Sequence, residues 1–235
     1  METEFSQLIE EAKELSEIVI DSEKPAQLFS GETKTPSRPT VFGPFPYLGP
    51  FSSPFSQFII DSEYYFLEDF EDGSFNQPGI TVNTGEVISD LQDADSVDAD
   101  DGLVDGVGRG HSYLTSSGEQ RSGIDSVLFT FDEQVLQSLP NYFVVVTDFT
   151  CEQIGSSYNA NISFEAYGKD GFPIISTDAI NFGDRNNSGE TSADRFWGIY
   201  SIDGVKAIKI KYHDPEICSG FKSLELDHIQ YGLLK

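Results

Sequence analysis

Basic residues and cysteine are both scarce in this chain of 235 residues, where 14 Lys and Arg face 40 Asp and Glu and only two cysteines occur. The formal charge of −26 argues against direct binding to nucleic-acid phosphates or anionic membrane surfaces, and suits divalent cations or basic partners. Cys151 and Cys218 lie far apart in no CxxC or Cys/His spacing, so a zinc site is not expected. One disulfide or two free thiols both stay open. Only three histidines are present (His111, His213 and His228), none in HExxH or beside a GxSxG elbow, so nucleophilic or zinc-hydrolase catalysis has no visible machinery. An acidic pair for glycoside hydrolysis would be met by chance among so many carboxylates and carries no specificity. The expectation is a protein that is not an enzyme.

Long apolar runs are lacking as well. The N-terminal METEFSQLIEEAKELSEIVI is acidic, with neither a basic n-region nor an unbroken hydrophobic stretch, and so reads as neither a signal peptide nor a membrane span. Localisation stays unknown. Phe5, Leu8, Ile9, Ala12, Leu15, Ile18 and Val19 instead recur at spacings of three and four, which predicts an amphipathic helix within residues 1–24. A helix this short is marginal alone and needs a surface to dock on.

Residues 25–61 alternate prolines with aromatics, among them Pro36, Pro39, Phe42, Pro44, Phe45, Pro46, Tyr47, Pro50, Phe51, Pro54 and Phe55. Proline at this density forbids a regular helix, and phenylalanines are costly to leave in water. The segment is expected to be a linker or an arm lying along an apolar surface, in cis or in trans.

From residue 62 to 235 no helix-length periodic stretch appears, so the crossovers of a parallel α/β sheet are not expected. Short alternating segments separated by Gly, Asn, Asp and Ser replace them. Val127, Phe129 and Phe131 share one parity, as do Ile162, Phe164 and Ala166, and Ile208, Ile210 and Tyr212 with Lys209 and Lys211 outward. Further strands are expected at 64–70, 111–114, 142–149, 172–180, 196–200 and 223–231. The predicted fold class is all-β, an antiparallel β-sandwich of jelly-roll type behind the N-terminal helix and arm. In the last strand Leu224 and Leu226 share one parity and Ile229 and Tyr231 the other, which predicts a β-bulge near Asp227 and His228.

Two features invite a ligand. DADSVDADDGLVDG, residues 93–106, packs six aspartates into a loop-like stretch, either a solvated acidic loop or a cage for a hard cation such as calcium. An EF-hand register fails, because placing Gly102 sixth puts Val97 and Ala99 at ligand positions. If first and last strands lie side by side, Glu71 and Asp227 join the aspartates. Trp197, Tyr200 and Tyr158 offer flat rings for stacking on sugars; parity puts neighbouring Phe196 and Trp197 on opposite faces, and an outward Trp197 would favour that reading over core packing.

The segments YYFLEDFEDG, DADSVDADDG, FEAYGKDG, TSADRFWGI and ELDHIQYG, in this order over residues 62–232, resemble a bacterial sandwich module found in exported proteins of the PEP-CTERM sorted type. The resemblance implies a noncatalytic jelly roll of the carbohydrate-binding or galactose-binding kind, with calcium in a structural role. It singles out Glu71, Asp95, Asp98, Asp100 and Asp227 for the cation and Asp194 with Arg195 as a structural pair. The chain departs from that pattern in having neither a signal peptide nor a C-terminal Pro-Glu-Pro, membrane helix and basic tail. The expected partner is therefore a glycan or surface polymer; the alternative is a structural subunit of a larger assembly, docked through residues 1–58.

Overall fold

A computed structural model of the chain describes residues 38–46, 62–88, 111–115, 126–149, 161–181, 195–213 and 224–235. The expected N-terminal helix, most of the arm, Asp95, Asp98, Asp100, Tyr158, Asp194 and both cysteines lie outside these residues. Within them run β1 (Thr40–Pro46), β2 (Ser62–Glu68), β3 (Ile80–Val82), β4 (Glu86–Ile88), β5 (Ser112–Leu114) and β6 (Ser126–Phe131). After a single helical turn, α1 (Glu133–Leu136), follow β7 (Tyr142–Phe149), β8 (Asn161–Tyr167), β9 (Pro173–Ser176), β10 (Ile180–Asn181), β11 (Arg195–Tyr200), β12 (Ala207–His213) and β13 (Leu224–Leu234).

Two antiparallel sheets form a β-sandwich, as the alternating segments predict. The seven-stranded sheet has the order β1-β11-β7-β13-β5-β4, with β2 also on β13; the six-stranded sheet has β10-β8-β12-β6-β3, with β9 on β8. Consecutive strands from β6 onward pass repeatedly between the sheets, so the core is stitched from distant segments. Val127, Phe129, Phe131, Ile162, Phe164, Ala166, Ile208 and Ile210 all enter it from the smaller sheet, the parity sets read from sequence. At about 25 cal/mol per Å² of apolar surface, this shared burial is the main term holding the layers together.

One strand arises within the arm, where proline density excludes a helix but allows extended backbone. Thr40–Pro46 pairs with β11, Thr40 opposite Tyr200 and Pro46 opposite Arg195, with a register shift between Phe42 and Phe45. Prolines are tolerated because β1 is an edge strand, where an amide lacking its hydrogen leaves no ladder partner unsatisfied, and the irregularity absorbs the rest. This part of the arm therefore lies on its own sandwich.

The short turns at one end are closed by local chemistry. Asp132 caps α1 by accepting the amide of Gln134, and Gln137 ends it in the left-handed region at φ 67°. The Lys206 amide donates to the Tyr167 carbonyl and the Val205 amide to Pro140, binding the turns of both sheets to each other.

Candidate functional site

The last strand contains the predicted irregularity. β13 pairs with β7 on one side, and its register shifts between Asp227 and Gln230, while His228 adopts a left-handed φ of 43°. Leu224, Leu226, Ile229 and Tyr231 consequently all reach the core, although their parities differ. On its other side β13 pairs first with β5 through Glu225 and Leu226, then with β2 from Ile229 onward. Asp227 and His228 sit at that handover.

Side chains tie the handover together. The Asp227 carboxylate accepts the His228 amide at 2.6 Å, and the Glu225 carboxylate accepts the Ser112 hydroxyl at 2.5 Å. Glu71, three residues beyond β2, accepts the amide of His111 at 2.8 Å, immediately before β5. The first and last sandwich strands, β2 and β13, do lie side by side, as expected, and the contact described for Glu71 is with the amide of His111. Among the described residues, no group of three or more His, Cys, Asp or Glu side chains is arranged to hold a metal ion.

Trp197 and Tyr200 are not a surface platform. Trp197 is 1% exposed, its ring packs against Phe164 with centroids 4.5 Å apart, and its indole nitrogen donates to the Thr147 hydroxyl at 3.1 Å. Tyr200 is 3% exposed, and loss of hydration raises its pKa above the usual phenol value. Parity did put neighbouring Phe196 and Trp197 on opposite faces. It failed as a guide to exposure because both faces of this sheet are covered, and Phe196 is as buried as Trp197.

A different aromatic site lies at the side of the sandwich, where β3 and β4, on different sheets, are joined by a short turn. A cleft of about 460 Å³ opens there, lined by Ser74, Phe75, Asn83, Thr84, Glu86 and Tyr113 among others. Its wall is the LEDFEDGSFNQPG segment, folded around one buried carboxylate. Glu68 accepts the amides of Phe70 at 3.1 Å, Asn76 at 2.9 Å and Gln77 at 3.3 Å. Burial drives the Glu68 pKa upward, and these three backbone donors pull the other way. Asp72 reinforces the turn by accepting the Ser74 amide at 2.9 Å.

Phe75 is held from behind by a ring cluster. Its centroid lies 5.9 Å from Phe70, 5.6 Å from Tyr113 and 6.4 Å from Phe129, within the range of favourable aromatic pairs. The Tyr113 hydroxyl donates to the Thr84 carbonyl at 2.8 Å, and burial pushes its pKa to about 12, so it stays a neutral donor. Asn83 accepts the Leu128 amide through its side chain at 2.7 Å, pinning the β3–β4 turn to β6. Gly85 is required at that turn: its φ is 112°, and a Cβ there would run into the Tyr113 ring and the Leu114 carbonyl. The signal for this site was the turn chemistry of EDGSFNQPG and VNTGEV. Neither segment alternates long enough to be read as strands that meet.

No family model matches this chain, and no curated protein matches it in sequence. Solved structures show a distant likeness to it. The CBM22-1 xylan-binding domain from Paenibacillus barcinonensis Xyn10C is 13% identical with a TM-score of 0.36, over 72% of this chain and 94% of that one. The K1 cleaved adhesin domain of Lys-gingipain from Porphyromonas gingivalis W83 is 11% identical with a TM-score of 0.38, over 73% of this chain and 99% of that one. CBM51 from Clostridium perfringens GH95, in complex with methyl-galactose, is 15% identical with a TM-score of 0.34, over 71% of this chain and 99% of that one.

Proposed function

We propose that this protein is a noncatalytic β-sandwich binding module whose ligand is a carbohydrate or surface polymer seated in the cleft beside Phe75. The observation that supports it is the cleft itself, an aromatic ring set among hydroxyl, amide and carboxylate groups on a frame locked by Glu68, Asn83 and Tyr113. Sugars present apolar ring faces edged with hydroxyls, and a concave site mixing one aromatic face with convergent polar groups matches both. The likeness of the sequence motifs to exported bacterial modules points to the same ligand class.

Calcium in a structural role belongs to this proposal. Ile88 pairs with Ser112, and the Glu71 carboxylate accepts the amide of His111, so the described residues on either side of the segment that carries Asp95, Asp98 and Asp100 are tied together beside Glu71. Calcium would take carboxylate and carbonyl oxygens there and hold the β4–β5 connection closed. A rise in Tm on adding calcium, reversed by chelation and reduced in Glu71→Gln, is the expected result.

The ligand is tested by glycan-array screening of the full chain, followed by titration of hits against Phe75→Ala and Ser74→Ala. Each variant's fold is checked by thermal denaturation. Loss of affinity of tenfold or more in Phe75→Ala, with a smaller loss in Ser74→Ala, is expected. Hits that bind both variants as tightly as the parent would remove the cleft from the reading, and an array without hits would remove the glycan.

A further inference from the structure

Three large apolar side chains stand out in water among the described residues: Phe172 at 69% exposure, Ile202 at 57% and Val135 at 56%. Scattered singly, such residues need no explanation. These three are not scattered. Val135 lies in α1 after β6, Phe172 in the turn after β8, and Ile202 in the turn between β11 and β12, and the strand register brings all three turns to one end of the sandwich. Ala207, at the start of β12, is opposite both Thr130 and Tyr167, the ends of β6 and β8. Tyr200, at the end of β11, is opposite Tyr142 at the start of β7.

This end is a built surface. Lys169 bridges to Glu133 at 2.6 Å, joining the turn that bears Phe172 to the helix that bears Val135. Asp170 accepts the Phe172 amide at 3.1 Å, and the Gly204 amide donates to the Ser201 carbonyl at 3.0 Å in the turn that bears Ile202. The amides of Phe172 and Gly204 are therefore satisfied within their turns, while the apolar side chains are held outward. That is the arrangement of anchor residues awaiting a counter-surface.

Charge selects the counter-surface. Asp132, Asp170 and Asp203 are exposed around the three anchors. Among the described residues at this end, Lys169 is engaged with Glu133 and Lys206 with the Phe131 carbonyl at 2.6 Å, and Lys235 follows the end of β13, so Asp132, Asp170 and Asp203 still leave the frame of the anchors acidic. A second copy of a chain carrying −26 would oppose acid to acid, and anionic lipid would be repelled. We propose that this end, remote from the cleft in sequence, docks a protein partner that presents apolar side chains framed by lysine or arginine.

The test uses the full chain and a labelled amphipathic Leu/Lys helical peptide, with oligolysine of equal charge and a Leu/Glu peptide as controls. Binding of the Leu/Lys peptide alone is expected, with amide exchange slowed in residues 132–140, 168–172 and 201–206. Replacing all three anchors (V135S, F172S, I202S) should weaken that binding at least tenfold and leave Tm nearly unchanged. If that variant unfolds, Asp170→Asn with Asp203→Asn should weaken binding about threefold and flatten its salt dependence. Equal binding of oligolysine, or binding unchanged by these replacements, would overturn the proposal. A concentration-dependent dimer, or adsorption to phosphatidylcholine vesicles, that the triple replacement abolishes would overturn it in favour of a second copy or a lipid surface.

Discussion

The two sheets bury their side chains by different rules. In the smaller sheet β6 alternates strictly between half-buried and buried positions, so one face packs inward and the other meets water. In the larger sheet nearly every residue of β11 and the first nine of β13 are buried. Sheets with one wet face write their orientation into the sequence as apolar and polar alternation, whereas in a sheet covered on both sides polarity stops reporting exposure: β13 reads LELDHIQYG over its first nine residues and all nine are buried. Direction and exposure then part company. Phe196 and Trp197 point to opposite faces and are both inaccessible.

The sharpest way to break this contrast is to place the same charge on the second face of each sheet. Val144, in β7 of the larger sheet, is fully buried on the face opposite the sandwich core, whereas Thr130, in β6, is half-buried on the outer face of the smaller sheet. Val144→Asp should cost about 4 kcal/mol or more in urea denaturation and Thr130→Asp within about 1 kcal/mol. Equal effects would mean that the second face of the larger sheet is open. Next in size, Trp197→Ala should cost about 3–5 kcal/mol by emptying the pocket between Phe164 and Thr147. Any ligand affinity per folded molecule should be unchanged by it, and an affinity loss without destabilisation would return Trp197 to a binding role.

The smallest effect sharpens the contrast at the rim, where Glu68, like Glu225 and Asp227, is a buried acid of the larger sheet. Its folded pKa is raised, chiefly by desolvation, so the native state holds this proton more tightly than the unfolded chain. The stabilisation linked to that proton is full below the ordinary carboxylate range and is lost as pH rises through the higher folded value. Glu68→Gln should therefore gain in Tm relative to the parent as pH increases across that window, then level off. A gain that shrinks with rising pH would show that the three amide donors outweigh burial.

Much of the fold was legible. The segments around Phe129, Phe164 and Ile210 alternate because Thr130, Glu165, Lys209 and Lys211 stand on their other face, and the tail of the chain announced its bulge through the parity switch at Asp227. β1 was legible only as extended chain lying along an apolar surface: Pro44 and Pro46 exclude a helix, and nothing local showed that the segment pairs with β11. β3 and β4 were missed because three residues are too few to show a period. The cleft was missed for the same reason: its ring and polar groups come from turns near residues 74 and 84 and from the three-residue strand that holds Tyr113, each too short to read by itself.

By itself, then, the sequence determined the class of the fold, the parity of the smaller sheet and the irregularity in the last strand, because these depend on neighbours two or three residues apart. Tertiary structure alone decided that Trp197 is core, that part of the arm is an edge strand, and that Phe75 stands in a cleft. Those outcomes depend on which distant segments come to cover which face, and covering is a property of pairs of surfaces that no local spacing records.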